Sequence, residues 1–181
     1  MTAGTTAGTA GTAALAEVVI DSMEFARDGR RLAGEIPVSR LERLADVLAD
    51  TAGSLRVELA GTIDGEGNPC LRLKVAGSLN LRCQRCLEPM AWSLAIDSVL
   101  HLTDDVRMED VGGGGDEEEL DADAPDVIVA DKELAVLPLV EDEALLSLPI
   151  APRHERCTPP SGGEKDRAPS PFAVLAQLKK H

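Results

Sequence analysis

Aromatic residues are nearly missing from this chain: no tyrosine, one tryptophan and two phenylalanines among 181 residues. That scarcity excludes a base-stacking aromatic platform of the kind single-strand RNA binders use. It also means that any core is built from Leu, Val, Ile and Ala, within an apolar content of 44%. Basic residues are scarce as well, 18 Lys and Arg against 32 Asp and Glu, for a formal charge of −14. Broad binding to a phosphate backbone needs the opposite balance. No run approaches the ~18 consecutive apolar residues of a membrane-spanning helix. The first 26 residues hold no Lys or Arg, so neither a secretory signal nor an Arg-rich presequence is expected, and the expected compartment is the cytoplasm. Histidines number three, at 101, 154 and 181. There is no Gly-x-Ser-x-Gly elbow, phosphate-cradling glycine loop or His-Glu-x-x-His helix. Nothing points to a catalytic dyad or to a small-molecule substrate.

The acidity that is present is concentrated. Between Asp104 and Asp126 lie eleven acids and a single Arg107, a net of −10, so the rest of the chain carries only −4. The run Asp116–Glu119 lacks the alternating oxygen ligands, central Gly and terminal Glu of a calcium loop. A solvated, mobile acidic loop over 104–126 is expected, better suited to a basic partner protein than to RNA.

Hydrophobic periodicity divides the chain. Residues 1–14 are a Thr/Ala/Gly stretch with nothing to bury and are expected to be disordered. Glu17–Asp21, around Val18, Val19 and Ile20, reads as a first strand. Pro37 and the Ser39-x-x-Glu42 capping-box spacing predict a helix carrying Leu41, Leu44, Val47 and Leu48 on one face, stopped near Gly53. From Leu55 the period changes to two. Three alternating runs, Leu55–Ile63, Leu71–Leu81 and Trp92–Leu102, predict an antiparallel meander with one buried face, its first turn at Asp64–Asn68. Val127–Val129 is a short apolar return. Leu137, Val140, Ala144, Leu145 and Leu148 recur at helical spacing, with Pro138 in a first turn, Pro149 as a stop and Glu141–Glu143 near the start, where the helix dipole favours acids. The expected fold is α+β: a twisted antiparallel meander, with partial barrel closure as a variant, packed by two or three helices. One domain spans 15–157, followed by a linker and a short amphipathic segment over 158–181.

Four cysteines, at 70, 83, 86 and 157, in a chain with no visible export signal read as thiols or metal ligands rather than as disulfides. Cys83-Gln84-Arg85-Cys86 falls between two predicted strands, the habit of a zinc knuckle; redox pairs instead open a helix. His154 and Cys157 complete a possible Cys₃His set for zinc, with packed, reduced thiols as the alternative. Cys70, alone in a strand, is expected in the core. Arg82 and Arg85 flank one half of the set, Arg153 and Arg156 the other. Should the halves meet, four guanidiniums form a local phosphate- or partner-contact corner, or they merely offset nearby negative charge.

Three segments together carry a resemblance. These are Leu81-Arg82-Cys83-Gln84-Arg85-Cys86-Leu87-Glu88-Pro89, then Val140-Glu141-Asp142-Glu143-Ala144-Leu145-Leu146-Ser147-Leu148-Pro149 running into His154 and Cys157, and finally Ser170-Pro171-Phe172-Ala173-Val174-Leu175-Ala176-Gln177-Leu178-Lys179. In this order they resemble the YceD family of large ribosomal RNA subunit accumulation proteins. The resemblance implies a non-enzymatic role in synthesis, processing or stability of 23S ribosomal RNA, with ribosomal RNA or a basic ribosomal or assembly protein as partner. The alternative from another class is a zinc-stabilised or redox-sensing regulator acting through Cys83 and Cys86.

Overall fold

The three alternating runs form the centre of one sheet. In the computed structural model, which describes residues 15–104 and 126–160, they are Ser54–Ile63 (β3), Pro69–Arg82 (β4) and Pro89–Thr103 (β5). These pair antiparallel from Leu55↔Gly77 to Ile63↔Pro69 and from Cys70↔His101 to Arg82↔Pro89. Alternation dictates the faces. Leu55, Val57 and Leu59 of β3, Leu71, Leu73, Val75, Leu79 and Leu81 of β4, and Leu94, Leu100 and Leu102 of β5 are all buried in one core. Arg56, Glu58, Arg72, Lys74 and Asp97 lie exposed on the other face. Arg31–Pro37 (β2) adds antiparallel to β3, and Asp126–Val129 (β6) adds to β5 in parallel. The strand order is β2-β3-β4-β5-β6, an open sheet rather than a closed barrel. Val19–Ile20 (β1) and Leu134–Ala135 (β7) form a separate antiparallel pair. The expected α+β class and meander are present.

Two helices cover the buried face. Ser22–Arg27 (α1) is capped by Asp21, whose side chain accepts from the Glu24 N–H at 2.9 Å, and it buries Phe25 and Ala26. Val136–Ser147 (α2) starts where the Val136 N–H donates to the Val18 carbonyl at 3.0 Å. Pro138 sits in its first turn, where no intrahelical donor is required. Neither α1 nor β2 was legible in the periodicity, because α1 is only six residues long, with Ser22, Phe25 and Ala26 buried, and β2 buries Ile36 alone.

Two local expectations are corrected. Residues 38–48 form two 3₁₀ turns, Val38–Arg40 and Glu42–Leu44, instead of an α-helix, and Leu41 between them has φ −88° and ψ 73°. Leu41, Leu44 and Leu48 are buried as their spacing predicts. Backbone bonds to β4 decide the geometry: Ala49 N–H to the Asn80 carbonyl (2.7 Å), Arg82 N–H to the Val47 carbonyl (2.9 Å), and a bridge at Leu48↔Leu81. This segment thus satisfies the edge that β4 exposes beyond Gly77, where β3 has ended. The acids of α2 lie past its first turn and serve tertiary contacts rather than the dipole. Glu141 accepts from the Arg43 N–H at 3.0 Å, Asp142 pairs with the Arg43 guanidinium, and Glu143 accepts from Ser98 Oγ. The expected N-terminal stretch 1–14, all of the acidic loop 104–126 but its two end residues, and the C-terminal amphipathic segment lie outside the described residues.

Candidate metal centre

Six residues, Cys83–Glu88, join β4 to β5. The Cys83 N–H donates to the Glu88 carbonyl (3.0 Å) and the Leu87 N–H to the Cys83 carbonyl (2.8 Å), closing a tight knuckle. Leu87 has φ +67°, the left-handed region that a residue bearing a Cβ enters at a cost. The loop after α2 docks on this knuckle. The Gln84 N–H donates to the Pro152 carbonyl (2.9 Å), Gln84 Nε2 to the Ile150 carbonyl (3.3 Å) and Arg85 Nη2 to the His154 carbonyl (2.9 Å). Pro152 itself is buried.

Docking brings the remote halves together. Cys83 Sγ lies 3.8 Å from Cys157 Sγ, and Cys86 Sγ 3.3 Å from His154 Nδ1. The four ligand atoms are all within 4.8 Å of one another. A tetrahedron with zinc–sulfur bonds has edges of about 3.8 Å, slightly shorter where nitrogen replaces sulfur. Cys83, Cys86, His154 and Cys157 therefore form a group able to hold a metal ion. On the far side of the ring, His154 Nε2 lies 3.2 Å from the Pro89 carbonyl. A proton on Nε2 donates there and leaves the Nδ1 lone pair facing the sulfurs, as metal-ligating histidines are usually held.

The electrostatics favour a thiolate at Cys83. Burial pushes the Cys83 thiol up, but the backbone N–H groups of Cys86, His154 and Arg85, together with the Cys86 side chain, outweigh it and bring it down to about 5. For Cys86, the Glu88 N–H pulls down, while burial and the Cys83 and Cys157 sulfurs push up and prevail. Arg85 Nε donates to Cys157 Sγ at 3.0 Å, and this bond raises the guanidinium pKa.

The four arginines separate in role. Arg85 is half-buried and turned inward, bonded to Cys157 and to loop carbonyls. Arg82 is exposed and reaches the Leu48 carbonyl at 3.4 Å. Arg153 and Arg156 are exposed on the docked loop, and no acid among the described residues pairs with them. Beside Arg153 runs an open groove of about 590 Å³, lined by Met90, Trp92, Pro149, Arg153, His154 and Glu155 among others. Sequence reasoning missed two supports of the centre, Gln84 as the clamp on the loop and the Pro89 carbonyl as the partner of His154. Both contacts run between segments more than sixty residues apart and leave no local signal. No helix among the described residues is long and apolar enough to cross a membrane.

No solved structure matches the chain. A curated relative, the large ribosomal RNA subunit accumulation protein YceD of Haemophilus influenzae, is 26% identical over 178 residues, covering 90% of this chain and 95% of the relative. The family model described as large ribosomal RNA subunit accumulation protein YceD matches residues 71–179. That match takes in the knuckle, α2 and the His154–Cys157 loop, and by it the chain belongs to the YceD family.

Proposed function

We propose that this chain is a non-enzymatic cytoplasmic factor that supports the accumulation of 23S ribosomal RNA, with zinc at the Cys83–Cys86–His154–Cys157 centre. The observation that carries the reading is the convergence of all four ligand atoms within 4.8 Å. Three sulfurs and one ring nitrogen are donors that zinc favours, and four protein ligands fill a tetrahedron, leaving no open position for substrate. Such a centre is structural. Its effect is to fasten the loop of residues 149–157 to the hairpin tip, so that Arg82, Arg153 and Arg156 stand on a rigid corner. Three guanidiniums on rigid supports suit a few ribosomal RNA phosphates, a limited contact compatible with an acidic chain. The acidic stretch from Asp104 to Asp126 complements a basic ribosomal or assembly protein by charge. The relative named for large ribosomal RNA subunit accumulation supports the biological assignment.

The test is a clean deletion complemented in turn by the wild-type chain and by an Arg153→Glu/Arg156→Glu variant. Deletion is expected to lower mature 23S relative to 16S ribosomal RNA, the wild type to restore the ratio and the variant to fail. An unchanged ratio on deletion, including during growth in the cold, would sink the assignment.

A further inference from the structure

At the other end of β4 from the knuckle, Asp64, Cys70 and His101 gather a carboxylate, a thiol and an imidazole with all three ligand atoms within 4.8 Å of one another. Alternation places Cys70 on the solvent face of the sheet, with Arg72, Lys74, Ala76 and Ser78 on the same side of β4. Those four are exposed, whereas Cys70 is fully buried and stands apart from the hydrophobic core cluster. The sequence expectation of a buried core cysteine is met, and Asp64, Asn68 and His101 bring polar atoms close to its sulfur. Cys70 pairs directly with His101 across β4–β5, and the turn 64–68 lies alongside.

That turn fixes the carboxylate. Asp64 Oδ1 accepts from the Glu66 and Asn68 N–H groups, both at 2.8 Å, and Oδ2 accepts from Asn68 Nδ2 at 3.0 Å. Oδ2 also lies 3.5 Å from His101 Nδ1. Cys70 Sγ is 3.4 Å from the Asn68 carbonyl. Asp64 and His101 keep about a quarter of their side-chain surface exposed, 22% and 25%. One side of the group is therefore accessible and the sulfur side is closed.

We propose that Asp64, Cys70 and His101 are a second metal site, which takes a divalent cation of the zinc class on one oxygen, one nitrogen and one sulfur, with a fourth position open to solvent or to an oxygen ligand. The donor set selects the ion: hard cations such as Mg²⁺ and Ca²⁺ demand oxygen, whereas a thiolate with imidazole suits Zn²⁺ or Co²⁺. Three protein ligands and an open position distinguish this site from the closed knuckle. Twelve strand residues lie between Cys70 and Cys83, and the thirteen steps of about 3.3 Å put about 40 Å between the two groups, so they do not share an ion. Asp64 and Cys70 also precede Leu71, where the family match begins.

The experiment is metal stoichiometry of the full chain, by Zn²⁺ elemental analysis and Co²⁺ titration followed by visible absorption, with folding checked by circular dichroism. The Cys83→Ser/Cys157→Ser variant is expected to retain one equivalent, with charge-transfer intensity corresponding to a single sulfur. Adding His101→Ala is expected to remove it. His101→Ala or Asp64→Asn alone, which spare the knuckle, should each lower the wild-type count by one. The proposal is overturned if neither single substitution changes the count, or if the folded double-serine variant binds no metal. A knuckle that binds no metal gives a different pattern, in which the wild type and the double-serine variant hold the same single equivalent.

Discussion

Gly61 shows how one missing methyl group sets the position of a helix. A Cβ at residue 61 would collide with the Phe25 carbonyl and stand 2.7 Å from the Ala26 Cα. Helix α1 therefore lies directly on β3, and Phe25 reaches the core. Gly61→Val is expected to destabilise the fold by about 1–3 kcal/mol, the usual cost of overpacking, seen as a lower urea midpoint. On the opposite face, Asp97 receives a two-pronged bond from Arg72 at 2.7 and 2.8 Å, with Lys74 3.3 Å away. The Arg72 bond, opposed by burial and aided by Lys74, lowers the Asp97 carboxyl to about 2. A depressed folded-state pKa stabilises above the unfolded value of about 3.9, and that contribution is lost as pH falls through about 2. Asp97→Asn should thus lower the urea midpoint modestly at pH 6, with the gap from wild type closing by pH 2. An equal gap at both pH values would mean that the pair contributes nothing through charge. The group is exposed, so added salt should shrink the gap too.

At the scale of elements, the knuckle and the loop after α2 are joined by contacts that a metal would reinforce. Binding to the native state alone stabilises by mass action, about 4 kcal/mol when free metal exceeds its dissociation constant a thousandfold. For a chain of this size that corresponds to a fall of roughly 8–16 °C in melting temperature when a chelator strips the wild type. Cys83→Ser should melt below the wild type before chelator is added and respond less to it. A wild type indifferent to chelator would remove zinc from the account of this centre. The contact of α2 with the 3₁₀ segment is a second joint, made by a buried carboxylate. Glu141→Ala deprives the Arg43 N–H of its acceptor and is expected to cost about 1–3 kcal/mol; Glu141→Gln, which keeps an oxygen, should recover most of it in the same denaturation assay.

For the whole molecule, charge and rigidity act on different quantities. Arg153 and Arg156 are exposed and pair with no acid among the described residues. Replacing both with Glu should leave the melting temperature within about 1 °C, since surface changes of this kind are near neutral. The same variant should lose crosslinks to ribosomal RNA in cells. Intact crosslinking would move the RNA contact away from the corner.

The alternating runs around β3, β4 and β5, the turn at Asp64–Asn68 and the spacing of α2 were legible because each has a period written over several consecutive side chains. Cys83-Gln84-Arg85-Cys86 and His154 with Cys157 announced their donor types in the same way, by local spacing alone. What only tertiary structure decided are the features set by partners distant in the chain. Residues 38–48 have the pattern of a helix, yet they take 3₁₀ turns because Asn80 and Arg82 offer backbone bonds at an open strand edge. Arg85 has the sequence signature of a surface arginine, yet its guanidinium turns inward onto Cys157, a partner 72 residues on. Cys70 reads as a core residue and is buried, but only strand pairing places it opposite His101. Side-chain period reports which residues are buried; it carries no information about which distant group will bury them.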